Sequence, residues 1–212
     1  MKTIIKYELV INEALRSALN YDTPDEQINE FIRFFGKHIG SDRIYIFEDC
    51  DEKHVTQNTY EWCADGIVPE IHELQNVDMD IIGWWYQAFD KDRNVIITDI
   101  EQIKDERRES YNLLKAQNVK NLVVCPIRYK DEIKGFFGVD NPPESDTLGL
   151  TTFLDMIGTL LISLLKLRNS FTKSNKEAKL SSYSSLSSIY ISMAVVNVQT
   201  HRYHIVKTLD EV

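Results

Sequence analysis

Apolar residues along this chain follow two spacings, one typical of helices and one typical of strands. Residues 3–20 and 24–39 place apolar side chains three or four positions apart, while residues 43–48, 56–63 and 121–141 are rich in β-branched and aromatic residues. Further segments predict short helices at 80–89 and 106–117, a short strand at 94–98 and a long helix at 147–171. This order of elements predicts an α+β fold with an antiparallel sheet.

Two segments carry strong local signals. Residues 22–26 combine a capping side chain, Pro24 at the first helical position and acidic residues in the first turn, and Gly40 follows the last apolar residue of the same helix. Residues 121–141 form two apolar runs around a short polar turn, which predicts a hairpin. We expect the hairpin to form the floor of a pocket, and the long helix after it to carry changes out of the domain.

The long helix has an apolar stripe with coiled-coil spacing. Leu150, Ile157 and Leu164 are seven residues apart, and Phe153, Leu160 and Leu167 fill the second heptad position. The stripe of the N-terminal helix would lie beside it in a parallel dimer. The predicted homodimer interface comprises Ile4, Ile11, Leu150, Phe153, Ile157, Leu160, Leu164 and Leu167. The alternative is that the stripe packs inside its own domain.

Composition narrows the class of protein. A chain of 212 residues with a net charge of -9 lacks the basic surplus of nucleic-acid-binding proteins, so no nucleic-acid partner is predicted. Three cysteines are an odd number, and the N-terminus is interrupted by glutamates, which together favour reduced thiols and a cytoplasmic location. Residues 148–167 are mostly apolar, but Asp155 near their centre would cost about 2.5 to 3.5 kcal/mol in a bilayer, so no membrane span is expected.

The C-terminal residues read as a separate unit. Residues 172–188 are polar and serine-rich, which predicts a linker, and residues 189–212 contain another strand pair. Two strands are not stable alone, so either this pair joins another surface or the sequence ends inside a second domain. The second interpretation is preferred.

Several ordered motifs resemble the GAF domain, a small-molecule sensory module of signalling proteins. They are the run at 43–47, NTYEWC at 58–63, the Trp84-Trp85 pair and VVCPIRYKDEIKGFFGVDN at 123–141. The resemblance implies a central antiparallel sheet of five or six strands, with the terminal helices on one face and a ligand pocket on the other. The subtype it resembles most precedes cyclic-di-GMP-handling (GGDEF) domains and histidine kinases in bacteria.

The resemblance also divides the chain. It implies a GAF-like sensory domain with its signalling helix at 23–171 and the start of a PAS-like domain at 189–212, and the residue pattern adds an N-terminal helix at 1–22 and the linker at 172–188. Asn141 is followed by Pro142 instead of the lysine found in GAF domains that bind cyclic nucleotides, so such ligands are not expected. The cysteine context to which phytochromes attach a bilin is also missing, which speaks against a photoreceptor.

Aromatic and polar residues along the predicted strands and loops suggest the ligand site. The predicted ligand-binding residues are Tyr60, Trp62, Cys63, Trp84, Trp85, Asp99, Cys125 and Ile127. The alternative is that the tryptophans are core residues with no ligand beside them.

These observations predict a sensory domain that binds an unknown small molecule and signals through a dimeric helix to an output domain, with a diguanylate cyclase preferred. No catalytic motif, metal site or cofactor is predicted from the sequence. Two alternatives stay open. One is a dimerisation module without a ligand, and the other is a GAF-type reductase of free methionine sulfoxide that uses its cysteines.

Overall fold

The computed structural model describes residues 2–143 and 147–173. The structure therefore covers most of the predicted sensory domain together with its N-terminal helix. From residue 174 onward, the predicted linker and the predicted start of a PAS-like domain lie outside the described residues.

The helices and strands occur nearly in the order that the sequence pattern predicts. The helices are α1 (Lys2–Ala18), α2 (Pro24–Ile39), α3 (Gly83–Phe89), α4 (Arg108–Ala116) and α5 (Thr147–Lys173). The strands are β1 (Arg43–Cys50), β2 (Val55–Cys63), β3 (Val77–Asp78), β4 (Val95–Ile97), β5 (Leu122–Tyr129) and β6 (Glu132–Asp140). Strand β3 and a 3-10 helix at Ile100–Ile103 are additions that the apolar pattern did not predict.

The strands form one six-stranded sheet in the order β3-β2-β1-β6-β5-β4. Each neighbouring pair is antiparallel, which confirms the predicted α+β class. Strand β1 lies at the centre between β2 and β6, with Arg43 opposite both Cys63 and Asp140. The register therefore brings Arg43 and Asp140 together, although they are far apart in sequence.

The start of α2 follows the predicted signals closely. The Thr23 hydroxyl accepts a hydrogen bond from the Glu26 N–H, and the Glu26 carboxylate accepts one from the Thr23 N–H, which completes a capping box. Gly40 ends the helix with a φ of 76°, a left-handed conformation that glycine adopts without steric cost. Both ends of the helix are thus set by local sequence.

Helices α1, α2 and α5 pack together on one face of the sheet, which we call the helix face. Their apolar side chains join those of the sheet in one core that includes Phe31, Phe35, Ile46, Phe137 and Leu161. The opposite face, which we call the pocket face, is covered by α3, α4 and the loops between strands. It has its own apolar cluster around Phe136.

The predicted dimer interface requires a correction. Ile11, Leu150, Phe153, Ile157, Leu160, Leu164 and Leu167 are each at most 8% exposed, because they pack against the sheet and the other terminal helices of the same chain. Ile4 belongs to α1, but its side chain lies outside the described part of the structure. The heptad spacing thus reflects packing inside the domain, and a homodimer would need a different surface.

Within the described residues, none of the helices is both long enough and apolar enough to cross a bilayer.

Candidate ligand-binding site

Aromatic rings line the centre of the pocket face. Phe47 of β1 stacks on Phe136 of β6 with 4.7 Å between ring centroids, and Trp85 of α3 meets Phe136 edge-on at 5.5 Å. Tyr45 packs against Phe47 in another edge-on contact at 5.5 Å. Offset and edge-on contacts of this kind fix ring orientations, so the sheet and α3 together form a preorganised apolar wall.

Two hollows adjoin this wall. The first, called the inner pocket, has a volume of about 30 Å³, which is far below the roughly 300 to 1,000 Å³ of pockets that hold drug-sized ligands. It is lined by Arg43, Tyr45, Phe47, Leu74, Val77, Ile82, Trp85, Leu113, Leu114, Gln117 and Phe136. Side chains therefore fill most of the space between the sheet and helices α3 and α4.

The second hollow, called the outer pocket, lies at the end of the sheet where β1 begins and β6 ends. Its volume is about 100 Å³. It is lined by Asp42, Arg43, Gly66, Ile67, Val68, Glu70, Gln117, Asn118, Val119, Asp140 and Asn141. Arg43 and Gln117 line both hollows, so a ligand in one would touch residues that border the other.

Arg43 is the centre of a buried polar cluster. Its Nη1 donates to Asp140 Oδ2 at 3.1 Å, its Nη2 donates to the Val68 carbonyl at 2.8 Å, and its Nε lies 3.3 Å from Glu61 Oε1. The Glu61 carboxylate also accepts the backbone N–H groups of Glu70 and Ile71 at 2.9 and 3.0 Å. One guanidinium thus links β2, β6 and a loop through two charge-assisted hydrogen bonds and an ion pair.

The Asp140 carboxyl experiences an unusual environment. Burial raises its pKa to about 7 and the nearby Glu61 carboxylate adds to the rise, while Arg43 and the Tyr45 hydroxyl oppose it. The main cause is that burial removes water from the carboxyl, which disfavours its charged form. Asp140 therefore changes charge close to neutral pH.

Three buried polar atoms of residues that line the hollows make no hydrogen bond within the described part of the chain. They are the Trp85 Nε1 donor, the Asp140 Oδ1 acceptor and the Arg43 Nε donor, which has only the ion pair with Glu61 at 3.3 Å. Trp85 lines the inner pocket and Asp140 lines the outer pocket. A buried donor or acceptor without a partner costs about 1 to 3 kcal/mol, and a bound ligand is one way to satisfy it.

The predicted ligand-binding residues do not share one pocket, which corrects the sequence analysis. Tyr60, Trp62, Cys125 and Ile127 belong to the helix-face cluster, because they alternate with residues that point to the other side of the sheet. The Trp62 ring lies over Gly36 of α2, where an added Cβ would be 2.3 Å from the ring. These four side chains are core residues beneath the terminal helices.

The other four predicted residues lie on or near the pocket face. Trp85 lines the inner pocket, and Trp84 packs beside it and donates from Nε1 to Ser110 Oγ at 2.9 Å. Cys63 contacts Arg43, and burial raises the pKa of its thiol. Asp99 instead caps the 3-10 helix by accepting the Glu101 N–H, so its role is local.

Sequence reasoning missed the polar residues of the site. Arg43 and Asp140 stand at the start of β1 and the end of β6, positions where a charged residue usually marks the boundary of a strand. The available signal was a pair of opposite charges at the ends of two strongly apolar strands. Neither residue alone indicated that the antiparallel register would pair them.

A separate group of three residues at the surface has atoms spaced closely enough to coordinate a metal ion. The donor atoms of His54, Asp78 and Asp80 lie within 4.8 Å of one another, and all three residues are exposed. Their proximity follows from local hydrogen bonds, since the Asp78 carboxylate accepts the Asp80 N–H and His54 Nε2 lies 3.1 Å from Asp80 Oδ1. This group is separate from both pockets.

The fold and the site together define a class of small regulatory domain. In this class an antiparallel sheet carries the terminal helices on one face and ligand pockets on the other. The chain belongs to the GAF domain family, whose model matches residues 23–161. The match begins at the capping residue of α2 and ends within α5, and it includes every strand of the sheet.

Solved structures with the same fold include two GAF domains. One is a phycoerythrobilin-bound GAF domain from a cyanobacterial phytochrome, with 17% sequence identity and a TM-score of 0.59 over 77% of this chain and 97% of that chain. Another is the GAF domain of a phosphoenolpyruvate-protein phosphotransferase from Acinetobacter, with 8% identity and a TM-score of 0.57 over 79% of this chain and 98% of that chain. At such identities the likeness concerns the fold.

Part of a histidine kinase also resembles this chain in sequence. The chain is 26% identical over 128 residues to the methanogenesis regulatory histidine kinase FilI of Methanothrix harundinacea, strain 6Ac. The match covers 58% of this chain and 14% of the kinase. The chain therefore spans about a seventh of that relative's length.

Proposed function

We propose that this chain is a non-catalytic sensory module of a cytoplasmic signal-transduction protein, and that a small molecule binds on its pocket face. The observation that carries the proposal is the pair of buried, unpartnered atoms, Trp85 Nε1 and Asp140 Oδ1, on the walls of two hollows that share Arg43 and Gln117. A mostly apolar pocket with a few convergent polar groups is typical of small-ligand sites.

A short path links the pocket to the exit helix. Phe47 lines the inner pocket, and the next residue, Glu48, accepts two hydrogen bonds from Arg168 of α5, both at 2.7 Å. Arg168 also donates to the Tyr60 hydroxyl at 3.2 Å. Because Arg168 lies near the end of α5, a ligand that moves Phe47 changes the position at which the helix leaves the domain.

This path transmits a signal only if the ligand prefers one of two arrangements of Glu48 and Arg168. The output domain that receives the signal is a diguanylate cyclase by the resemblance of the sequence, and the FilI match supports a histidine kinase as the other candidate. Dimerisation remains part of the proposal, through a surface other than the buried stripe of α5.

A dimerisation module without a ligand is the second candidate, and the small inner pocket favours it. Only about 30 Å³ is open between the sheet and helices α3 and α4. The reductase alternative has less support, because Cys125 lies on the helix face and Cys63 on the other side of the sheet. A nucleophilic and a resolving thiol must reach each other.

A thermal-shift screen of metabolites against the full chain tests the proposal. A ligand present at 100 times its Kd adds about 2.7 kcal/mol to the free energy of unfolding, so a specific hit raises Tm clearly. We expect Gln117→Trp, which fills the junction of the two hollows, to abolish the shift. The matched variant Gln102→Trp, at an exposed position away from both hollows, should keep it. A broad panel without any hit, or a hit that Gln117→Trp leaves unchanged, would contradict the proposal.

A further inference from the structure

The ionisable residues of the outer pocket carry an excess of negative charge. Asp42, Glu70 and Asp140 supply three carboxyl groups, and Arg43 is the one basic residue of the described lining. Behind them, the Glu61 side chain is 2% exposed and pairs with the same guanidinium at 3.3 Å. A ligand that enters this space therefore meets more acceptors than donors.

Arg43 has little capacity left for an anion. Its Nε faces Glu61, its Nη1 donates to Asp140 and to Gln117 Oε1 at 3.5 Å, and its Nη2 donates to the Val68 carbonyl. A guanidinium offers five N–H donors, and here three hydrogen bonds and the ion pair of the buried Nε with Glu61 occupy most of the group. A carboxylate or phosphate would also meet a pocket whose net charge repels it.

Asp140, in contrast, has capacity left to accept a hydrogen bond. One of its oxygens is held by Arg43, and the other makes no well-aligned hydrogen bond within the described residues, although the residue is only 2% exposed. The Tyr45 hydroxyl lies near the carboxyl and lowers its pKa. An ionised acceptor in such a position is best satisfied by a donor that also brings positive charge. Asp140 lines the outer pocket, so its carboxyl is the nearest buried acceptor for a ligand in that hollow.

The dimensions of the outer pocket limit the ligand to a few heavy atoms. Its volume of about 100 Å³ is well below the roughly 300 to 1,000 Å³ of pockets that hold drug-sized ligands. Ile67, Val68 and Val119 provide an apolar side to the same hollow. The space thus suits a short alkyl chain with one charged end.

We propose that the outer pocket binds a small organic ammonium ion, with the ammonium group on Asp140 and the alkyl chain against Ile67 and Val119. This inference deepens the proposed function and rests on it, since it names the chemical class of ligand for the same pocket face. The positive charge of the ligand offsets the second carboxylate on Arg43, and its N–H groups satisfy the open oxygen of Asp140.

The test is a titration of the ¹⁵N-labelled full chain with ethylammonium chloride or ethanolamine, followed by the backbone amide signals of the outer pocket. We expect saturable shifts at Val119 and Asp140. In Asp140→Asn, which removes the charge at constant shape, binding should weaken at least about tenfold. The matched control Asp131→Asn, in the exposed turn between β5 and β6, should bind as the original chain does.

Further arms separate the alternatives. Sodium acetate tests an anion of similar size, and magnesium and calcium chlorides test inorganic cations. Because Asp140→Asn also changes the stability of the fold, Glu70→Gln at the half-buried wall gives a second variant, and it should weaken ammonium binding by about twofold to fivefold. The amide spectrum of each variant also shows whether the variant keeps the fold of the original chain.

Each result bears on the inference. Ammonium binding that depends on Asp140 and Glu70 supports it. Binding of acetate in place of ammonium, binding of divalent metal ions alone, or ammonium binding insensitive to both variants would overturn the ligand class. In those cases a positive metabolite screen would leave the sensory function standing. If the screen is negative as well, both proposals fail.

Discussion

The substitution Asp140→Asn should stabilise the protein at alkaline pH. The pKa of Asp140 is about 7 in the folded chain, against an ordinary value of 3.8, because the carboxyl is buried and shares Arg43 with Glu61. The folded state thus holds this proton more tightly than the unfolded chain does. Stability from this group is fully present below pH 4 and is lost as the pH rises through 7.

The size of the effect follows from the difference in pKa. At about 1.4 kcal/mol per pKa step, ionisation of Asp140 costs the fold up to about 4 kcal/mol at pH 8. Asparagine mimics the neutral carboxyl, so the variant should be more stable than the original chain by up to that amount at pH 8. The gap should shrink to about 2 kcal/mol at pH 5.

Urea denaturation at a series of pH values measures this difference directly. Other titrating groups are common to both chains and cancel in the comparison. A variant that is less stable than the original chain at pH 8 would refute the reasoning. It would mean that the ion pair with Arg43 outweighs the burial of a second carboxylate.

Two further substitutions test the packing and the link to the exit helix. Gly138→Ala should destabilise the fold by about 1 to 3 kcal/mol in thermal melts, since the added Cβ would lie 2.0 Å from the Tyr45 ring. The matched Gly83→Ala, with no atom within 4 Å of the new Cβ, should change stability by less than about 1 kcal/mol, and equal effects would contradict this account. Arg168→Met should cost about 1 to 3 kcal/mol in urea denaturation because it leaves the partly buried Glu48 unpaired. An unchanged midpoint would show that the bidentate contact does not hold α5 to the sheet.

Local sequence signals were sufficient for most of the elements. Thr23, Pro24 and Gly40 mark the ends of α2 because capping, a fixed proline φ and a left-handed glycine are properties of a few adjacent residues. The hairpin of β5 and β6 is specified in the same way by apolar runs on either side of a polar turn. Strand β3 escaped prediction because two residues carry no periodicity.

The faces of the sheet were harder to assign. Alternation correctly places Tyr60 and Trp62 on the same side of β2, but it does not tell which side carries the terminal helices. The side is indicated by Gly36 of α2, because only a residue without a side chain leaves room there for the Trp62 ring. Gly36 and Trp62 are far apart in sequence, so the sequence pattern does not reveal this contact. Half of the predicted ligand-binding residues, namely Tyr60, Trp62, Cys125 and Ile127, were therefore assigned to the pocket although they lie in the core.

The apolar stripe of α5 illustrates the same limit. A heptad spacing predicts a coiled-coil seam, but a helix buried on several sides shows apolar residues at the same positions. Leu154 and Leu161, which the sequence pattern shows beside the seam, are also completely buried. The breadth of the stripe is thus better explained by packing against β5 and α2 than by a second subunit.

The most direct measurement of the central claim compares two single-tryptophan chains. The chain has three tryptophans, and Trp85 lines the inner pocket while Trp62 lies beneath the terminal helices. One chain keeps Trp85 and carries Trp62→Phe and Trp84→Phe, and the other keeps Trp62 and carries phenylalanine at the other two positions. If a small molecule binds on the pocket face, hits from the metabolite screen change the fluorescence of Trp85 saturably and leave that of Trp62 unchanged. A ligand site on the pocket face would be contradicted if only the fluorescence of Trp62 responds, or if no hit changes the fluorescence of either chain.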